Sequence, residues 1–240
     1  MATRIGFDMD GVLADFSTAF HEVELRLFGP SSSVKVDSPE VEAQHEENAA
    51  AQASVDGPTP RETRRRRDAI WSAIHHTPDF WTTLKPLDEG AVRRIHELML
   101  RHRWEVFFLT QRPDTAGLTV QRQTQLWLQQ QGFDLPSVLV ISGSRGAAAG
   151  ALRLNYHVDD RPQNCLDVAS DSSARPILIV PERDEITENS AKRLRLSVAR
   201  SVGEALDMLE QIEVGGGDGP PEPKLLGKLS KIFGWKVGQR

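Results

Sequence analysis

The stretch Thr3-Arg4-Ile5-Gly6-Phe7-Asp8-Met9-Asp10-Gly11-Val12-Leu13 decides how this chain is read. Ile5 and Phe7 alternate through Thr3–Asp8, which predicts a short apolar strand ended by the turn-forming pair Asp10-Gly11. Two carboxylates two residues apart on such a turn can divide labour. One can attack a phosphorus atom while the other gives a proton to the leaving oxygen. Taken alone, the pattern fits an Asp-Gly turn with a solvated neighbour equally well, so the rest of the chain has to decide.

Outward from this turn, the pattern is helical from Val12 to about Phe28. From Gly29 to Pro60 the composition shifts to Ser, Glu, Ala, Gln and Pro, with six acids and no base between Asp37 and Asp56. Hardly an aliphatic residue is available there to bury, which predicts a disordered loop. Order resumes at Thr63–His76, where Ile70, Trp71 and Ile74 form one apolar stripe, followed by Phe80-Trp81 and a turn around Pro86. Helical and strand-like stretches then alternate. Helices are expected at Glu89–Arg101, Thr119–Gln131, Gln163–Ala169 and Val202–Ile212, with a short Ala-rich one after Gly146. Strands are expected at Trp104–Leu109, Val138–Ile141, Tyr156–Asp159, Ile177–Val180 and Leu196–Ala199. Apolar strands separated by helices predict an α/β fold with a doubly wound parallel sheet, covered on both faces. Its ligand crevice lies at the carboxyl ends of the strands.

The bulk properties agree. The chain has 240 residues, a length that suits one α/β domain plus an insertion. It holds 34 acids against 29 bases. Five of those bases and none of the acids lie in Pro223–Arg240, so the first 222 residues carry 24 bases against 34 acids, a net charge of −10. An acidic body argues against binding a nucleic acid polymer. One cysteine, Cys165, excludes an internal disulfide and a multi-thiolate zinc site. No window approaches the ~18 consecutive apolar residues of a membrane span. Met1-Ala2-Thr3-Arg4 runs straight into the first strand rather than a signal peptide, so a cytoplasmic location is expected.

Three further strand ends weigh the turn toward chemistry. Phe107-Phe108-Leu109 is followed by Thr110-Gln111-Arg112, which offers a hydroxyl and backbone N–H groups. Val138–Ile141 is followed by Ser142-Gly143-Ser144-Arg145-Gly146, a small-residue turn opening a helix with a cation at its mouth. Val158 is followed by a second acidic pair, Asp159-Asp160. Acids at two strand ends, with a hydroxyl and a cation at two others, outline a magnesium phosphate site. Hard oxygen ligands suit Mg²⁺, and the metal lets an anionic carboxylate approach an anionic phosphate.

This ordered set resembles the haloacid dehalogenase (HAD) superfamily of aspartate-nucleophile phosphohydrolases over roughly Thr3 to Glu213. The resemblance implies a HAD-like Rossmannoid core with a small helical cap inserted after the first strand. It implies Asp8 as the residue that becomes phospho-aspartyl and Asp10 as the general acid/base. Thr110 would bind phosphate, with the Gln111 backbone. Mg²⁺ would be held by Asp8, by Asp159 and Asp160, and by the main-chain carbonyl of Asp10. The superfamily also has a lysine between its second and fourth motifs, but no lysine lies between Lys85 and Lys192. Arg145 is the nearest substitute and Arg153 the second candidate; a guanidinium clamps phosphate oxygens with a geometry unlike that of an ammonium.

Within the superfamily the chain is similar to the small 5′-deoxyribonucleotidase-like group. The grounds are Asp8 to Phe16, the insertion directly behind it, and Phe80-Trp81-Thr82-Thr83-Leu84-Lys85-Pro86-Leu87. That similarity implies nucleobase stacking by Trp71, and after it Phe16, Phe20 or Trp81, against the plainer reading of core packing. The expected organisation is a core of residues 1–15 and 86–213, a cap of 16–85 with the disordered loop at about 29–60, a flexible linker at 214–223 and a basic amphipathic tail at 224–240. In that tail Leu225, Leu226, Leu229, Ile232 and Phe233 fall at helical spacing, a segment that suits a membrane surface, a partner or a second subunit, so a homodimer stays open.

The expected function is Mg²⁺-dependent hydrolysis of a small phosphomonoester, a nucleoside monophosphate or similar. The alternatives are a phosphatase for a sugar phosphate or other metabolite, and a HAD-like binding or regulatory protein with weak or no catalysis because the usual lysine is missing. A nucleotide-sugar transferase using the D-x-D as a metal site fits poorly with Asp159-Asp160. Cys165 reads as a buried small hydrophobe, His75-His76 as a solvated helix end, and Arg64–Arg67 as a solvated helix face. His157 shares its strand face with Asp159 and could tune that carboxylate, although a packed strand histidine is the commoner case.

Overall fold

From Ile5 to Asp8, β1 (Arg4–Asp8) is buried at every residue, because it lies inside a sheet with a neighbour on each side. In this computed structural model, which describes residues 2–30, 59–181, 191, 193, 194 and 196–214, β1 pairs on one side with β2 (Glu105–Thr110), which pairs in turn with β3 (Ser137–Val140). On its other side β1 pairs with β4 (Tyr156–Asp159), followed by β5 (Arg175–Ile179) and β6 (Ser197–Ala199). Every pair is parallel and the order is β3-β2-β1-β4-β5-β6. The doubly wound sheet expected from the alternation of apolar strands and helices is the observed one.

The chain winds from β1 out to β3, returns to β4 beside β1, and winds the other way to β6. The order therefore reverses between β1 and β4, which opens a crevice at the carboxyl ends of the strands. Register brings the polar strand ends to one level. Asp8 is opposite Leu109, Thr110 opposite Val140, and Phe7 opposite Val158, one residue before Asp159. The helices between strands are α3 (Ala91–His102), α4 (Val120–Gln130), α5 (Arg145–Leu152) and α6 (Pro162–Asp171), and α7 (Val202–Val214) follows β6. α5 packs on α6 and α3 on α7, the latter pair joined by Arg94 to Asp207 and Glu210 at 2.6 and 2.9 Å.

The helical insertion after β1 is present as α1 (Phe16–Phe28), α2 (Pro60–His76) and a 3₁₀ turn at Phe80–Thr82. α1 starts four residues later than the Val12 expected from periodicity. Leu13 and Ala14 both donate to the Met9 carbonyl in a tight turn, and Asp15 then caps the helix by accepting from the Thr18 N–H. α2 starts earlier than the expected Thr63, because Thr59 and Glu62 form a reciprocal capping box with Pro60 at the first helical position. Residues 31–58 of the acidic loop, 215–223 of the linker and the tail at 224–240 lie outside the described residues.

One buried cluster runs through sheet and insertion alike. Ile5 and Phe7 of β1 and Phe108 of β2 belong to it together with Phe16 and Phe20 of α1 and Ile70, Trp71 and Ile74 of α2. The insertion is thus anchored by burial of its own apolar stripe on the end of the core. Among the described residues no helix is long and apolar enough to cross a membrane.

Candidate active site

Gly11 shapes the turn that carries the two carboxylates. Its φ of 84° is in the left-handed region, and a Cβ there would collide with the Asp160 carboxylate, so glycine is required on both counts. Asp8 at the strand end and Asp10 on the turn are both buried, as are Thr110 and Asp159. The four strand-end motifs expected to cooperate are therefore at one end of the sheet.

Arg145 is the first residue of α5 and its side chain is 1% exposed. Its Nη2 donates to Asp8 Oδ1 and its Nε is 3.7 Å from Asp159 Oδ2, so one guanidinium faces both acidic motifs. Arg153, the other candidate for the missing lysine's place, is the C-cap of the same helix, about 12 Å away at 1.5 Å per residue. Of the two, Arg145 is the one brought to the carboxylates. Thr110 Oγ1 accepts from the Arg112 N–H at 3.3 Å, which keeps the hydroxyl proton for an acceptor such as phosphate. The Gln111 side chain donates to the Gly143 carbonyl at 2.7 Å. It ties the loop after β2 to the loop after β3, and any contact of Gln111 with a ligand falls to its backbone.

Arg112 is one residue that sequence reading missed. It is buried, and Nε and Nη2 donate to Asp10 Oδ2 and Oδ1 at 2.8 and 2.6 Å in a bidentate fork. The residue stood within the quoted strand end Thr110-Gln111-Arg112, but sequence carries no sign of which acid a buried arginine will meet 102 residues away.

Asp159 is held from three directions. Asn164 Nδ2 reaches both its oxygens at 3.2 and 3.1 Å, the Arg161 N–H donates at 2.9 Å, and His157 Nε2 lies 3.0 Å from Oδ2. Among the described residues His157 Nδ1 has no hydrogen-bond partner, which assigns the ring proton to Nε2, donating to Asp159. Burial works to raise the Asp159 carboxyl, but the His157 bond, with Arg145 and the Arg161 N–H, outweighs it and holds the group below the usual carboxylate range. His157 is thus a partner of Asp159 rather than the merely packed strand histidine that is commoner. Gly6, in register with His157, makes room for it: a Cβ at Gly6 would come within 2.8 Å of Nδ1.

The four aromatic side chains expected to stack on a nucleobase are turned on one another. Phe16 lies 5.6 Å from Trp71, 5.7 Å from Phe20 and 5.7 Å from Trp81, ring centre to ring centre. All four are buried. The Arg112 guanidinium is 4.8 Å from the Trp81 ring centre. Plain core packing, the alternative to a stacking platform, describes them. Cys165 is buried and its thiol is pushed well up by burial and by the nearby acids Asp159, Asp160 and Asp8, so it is an inert small hydrophobe as expected. His75 and His76 turn to different carbonyls, those of Asp114 and Ser72.

Four carboxylates and two guanidiniums leave the crevice with excess negative charge, and every carboxylate donor is a hard oxygen. Among the described residues no three His, Cys, Asp or Glu side chains converge as a ready cage. The hard carboxylate oxygens of Asp8, Asp10, Asp159 and Asp160 are the donor chemistry that Mg²⁺ takes. The donor set fits the ion.

No family model matches the sequence, and no curated protein matches it significantly. Solved structures do match. A haloacid dehalogenase-like hydrolase from Streptococcus pneumoniae superposes with a TM-score of 0.50 at 14% identity, over 87% of this chain and 98% of its own. A candidate beta-phosphoglucomutase from Thermotoga maritima gives 0.51 at 18% identity, over 88% and 99%. A HAD family hydrolase from Deinococcus radiodurans, solved with bound phosphate and sodium, gives 0.50 at 15% identity, over 89% and 96%. The fold is the haloacid dehalogenase-like α/β fold.

Proposed function

We propose that the protein is a Mg²⁺-dependent phosphomonoester hydrolase working through a phospho-aspartate on Asp8. The observation that carries this reading is Arg145 bridging Asp8 and Asp159: a buried cation faces the proposed nucleophile and the first acid of the second pair across the sheet's switch point. Asp8 attacks phosphorus, forming its P–O bond as the ester P–O bond breaks, and the leaving oxygen takes a proton from Asp10. Asp10 then takes a proton from water, the water oxygen attacks the same phosphorus, and the bond to Asp8 breaks, restoring both acids. Thr110 Oγ1, the Gln111 backbone and Arg145 hold the phosphoryl oxygens. Mg²⁺ would be held by Asp8, the Asp10 carbonyl, Asp159 and Asp160, and would supply charge neutralisation between carboxylate and phosphate.

A small polar phosphomonoester such as a sugar phosphate is favoured over a nucleotide, because Phe16, Phe20, Trp71 and Trp81 give their faces to one another and to Arg112. The similarity to a candidate beta-phosphoglucomutase points the same way. The test is phosphate release with Mg²⁺ from sugar phosphates and nucleoside monophosphates, beside Asp8→Asn. Release from sugar phosphates that the variant abolishes is the expected result. Release unaffected by the variant, or preferred hydrolysis of nucleotides, contradicts the mechanism or the substrate class respectively.

A further inference from the structure

We infer that Arg112 is the positioning residue for Asp10, an inference that rests on the acid/base role of Asp10 proposed above. Arg112 uses Nε and Nη2 on the two Asp10 oxygens. Its remaining edge is fixed as well: Nη1 donates to Thr124 Oγ1 at 3.1 Å on α4, and its Cζ is 4.8 Å from the Trp81 ring centre. Trp81 is itself pinned. Its N–H donates to Gln123 Oε1 and its Nε1 to the Pro113 carbonyl, each at 3.0 Å.

A buried ion pair of this kind adds little net stability, since desolvation offsets most of its attraction. A forked guanidinium held on every side does something a hydrophobic pair cannot: it fixes the plane and direction of one carboxylate. Asp10 has to exchange a proton with a leaving oxygen at a defined place, and small errors of position are costly in such a transfer. The Trp81 ring, on the 3₁₀ turn of the insertion, and Thr124, on α4, thereby bear on the acid/base group through Arg112.

The test compares an alkyl phosphomonoester, glycerol phosphate, with p-nitrophenyl phosphate. An alkoxide leaves only if protonated, whereas nitrophenolate leaves without a proton. The value of kcat/KM covers steps up to leaving-group departure, so later hydrolysis of the phospho-enzyme does not enter it. Arg112→Gln is expected to lower kcat/KM for glycerol phosphate about 100-fold and for p-nitrophenyl phosphate less than about 10-fold, the same split as Asp10→Asn. Arg112→Lys should recover part of the difference, and Thr124→Val, which keeps the arginine, should show a smaller split of the same sign. Equal losses on both substrates, or no loss, would overturn the inference. If the unaltered protein hydrolyses neither ester, or Asp8→Asn still does, the phosphohydrolase reading falls, and this inference with it.

Discussion

Arg145, at the first position of α5, donates to Asp8 at the end of β1 although 137 residues separate them, and its Nε stands 3.7 Å from Asp159. The pair places a fixed positive charge where phosphoryl oxygens would gather. Arg145→Ala is expected to lower kcat by about 100- to 1,000-fold, the usual cost of losing one preorganised donor. Arg145→Lys should retain more activity than alanine because the charge survives while the fork does not. Steady-state phosphate release checks both, and an alanine variant with unchanged kcat would remove Arg145 from the phosphate site.

His157 acts on Asp159 from inside the sheet. Replacing it with leucine keeps an apolar fit beside Gly6 but removes the 3.0 Å contact to Asp159. Apparent Mg²⁺ affinity, read by calorimetry as well as by the Mg²⁺ dependence of turnover, should weaken about 10- to 100-fold. Unchanged affinity would make His157 a packing residue.

The α/β class, with its doubly wound parallel sheet and helical insertion, was legible because periodicity and strand ends are local signals; the strand order β3-β2-β1-β4-β5-β6 was not, because pairing between segments far apart in the chain sets it. Boundaries slipped where capping overrode periodicity, at Asp15 for α1 and at Thr59-Glu62 for α2. In the candidate site, Asp8, Asp10, Thr110 and Asp159 could be named because each ends a strand or lies on the turn behind one. Arg112 and Asn164 could not, because their partners are chosen by side-chain packing. Sequence could not separate the two uses of the aromatics for a related reason: a ring that stacks on a ligand and one that fills a core have the same sequence pattern.

Trp71 and Phe20 distinguish those two uses. If they are core, Phe20→Ala should cost about 3–5 kcal/mol in urea unfolding, and Trp71→Phe should lower the melting temperature while KM for any active phosphomonoester stays within about twofold. A large rise in KM for nucleotides alone would restore the stacking role.

Acid stability should depend on Glu210, which accepts from Arg94 on α3. That hydrogen bond holds its carboxyl below the ordinary glutamate value of 4.5. A folded-state value below the unfolded one contributes stability above about pH 4.5, and this is lost as pH falls through the folded value. Glu210→Gln should therefore lower the melting temperature at pH 7 and narrow its gap to the unaltered protein by pH 3. A gap that stays constant with pH would dismiss the ion pair as its source.

The most direct test of the account is to quench a reaction with p-nitrophenyl phosphate and Mg²⁺ in acid within its first turnovers and to map the protein by mass spectrometry. A phosphoryl group on the peptide carrying Asp8, absent when Asp8 is asparagine, is the predicted result. Phosphate released while that peptide stays unmodified at every quench time, with the label on another residue or none, would contradict it.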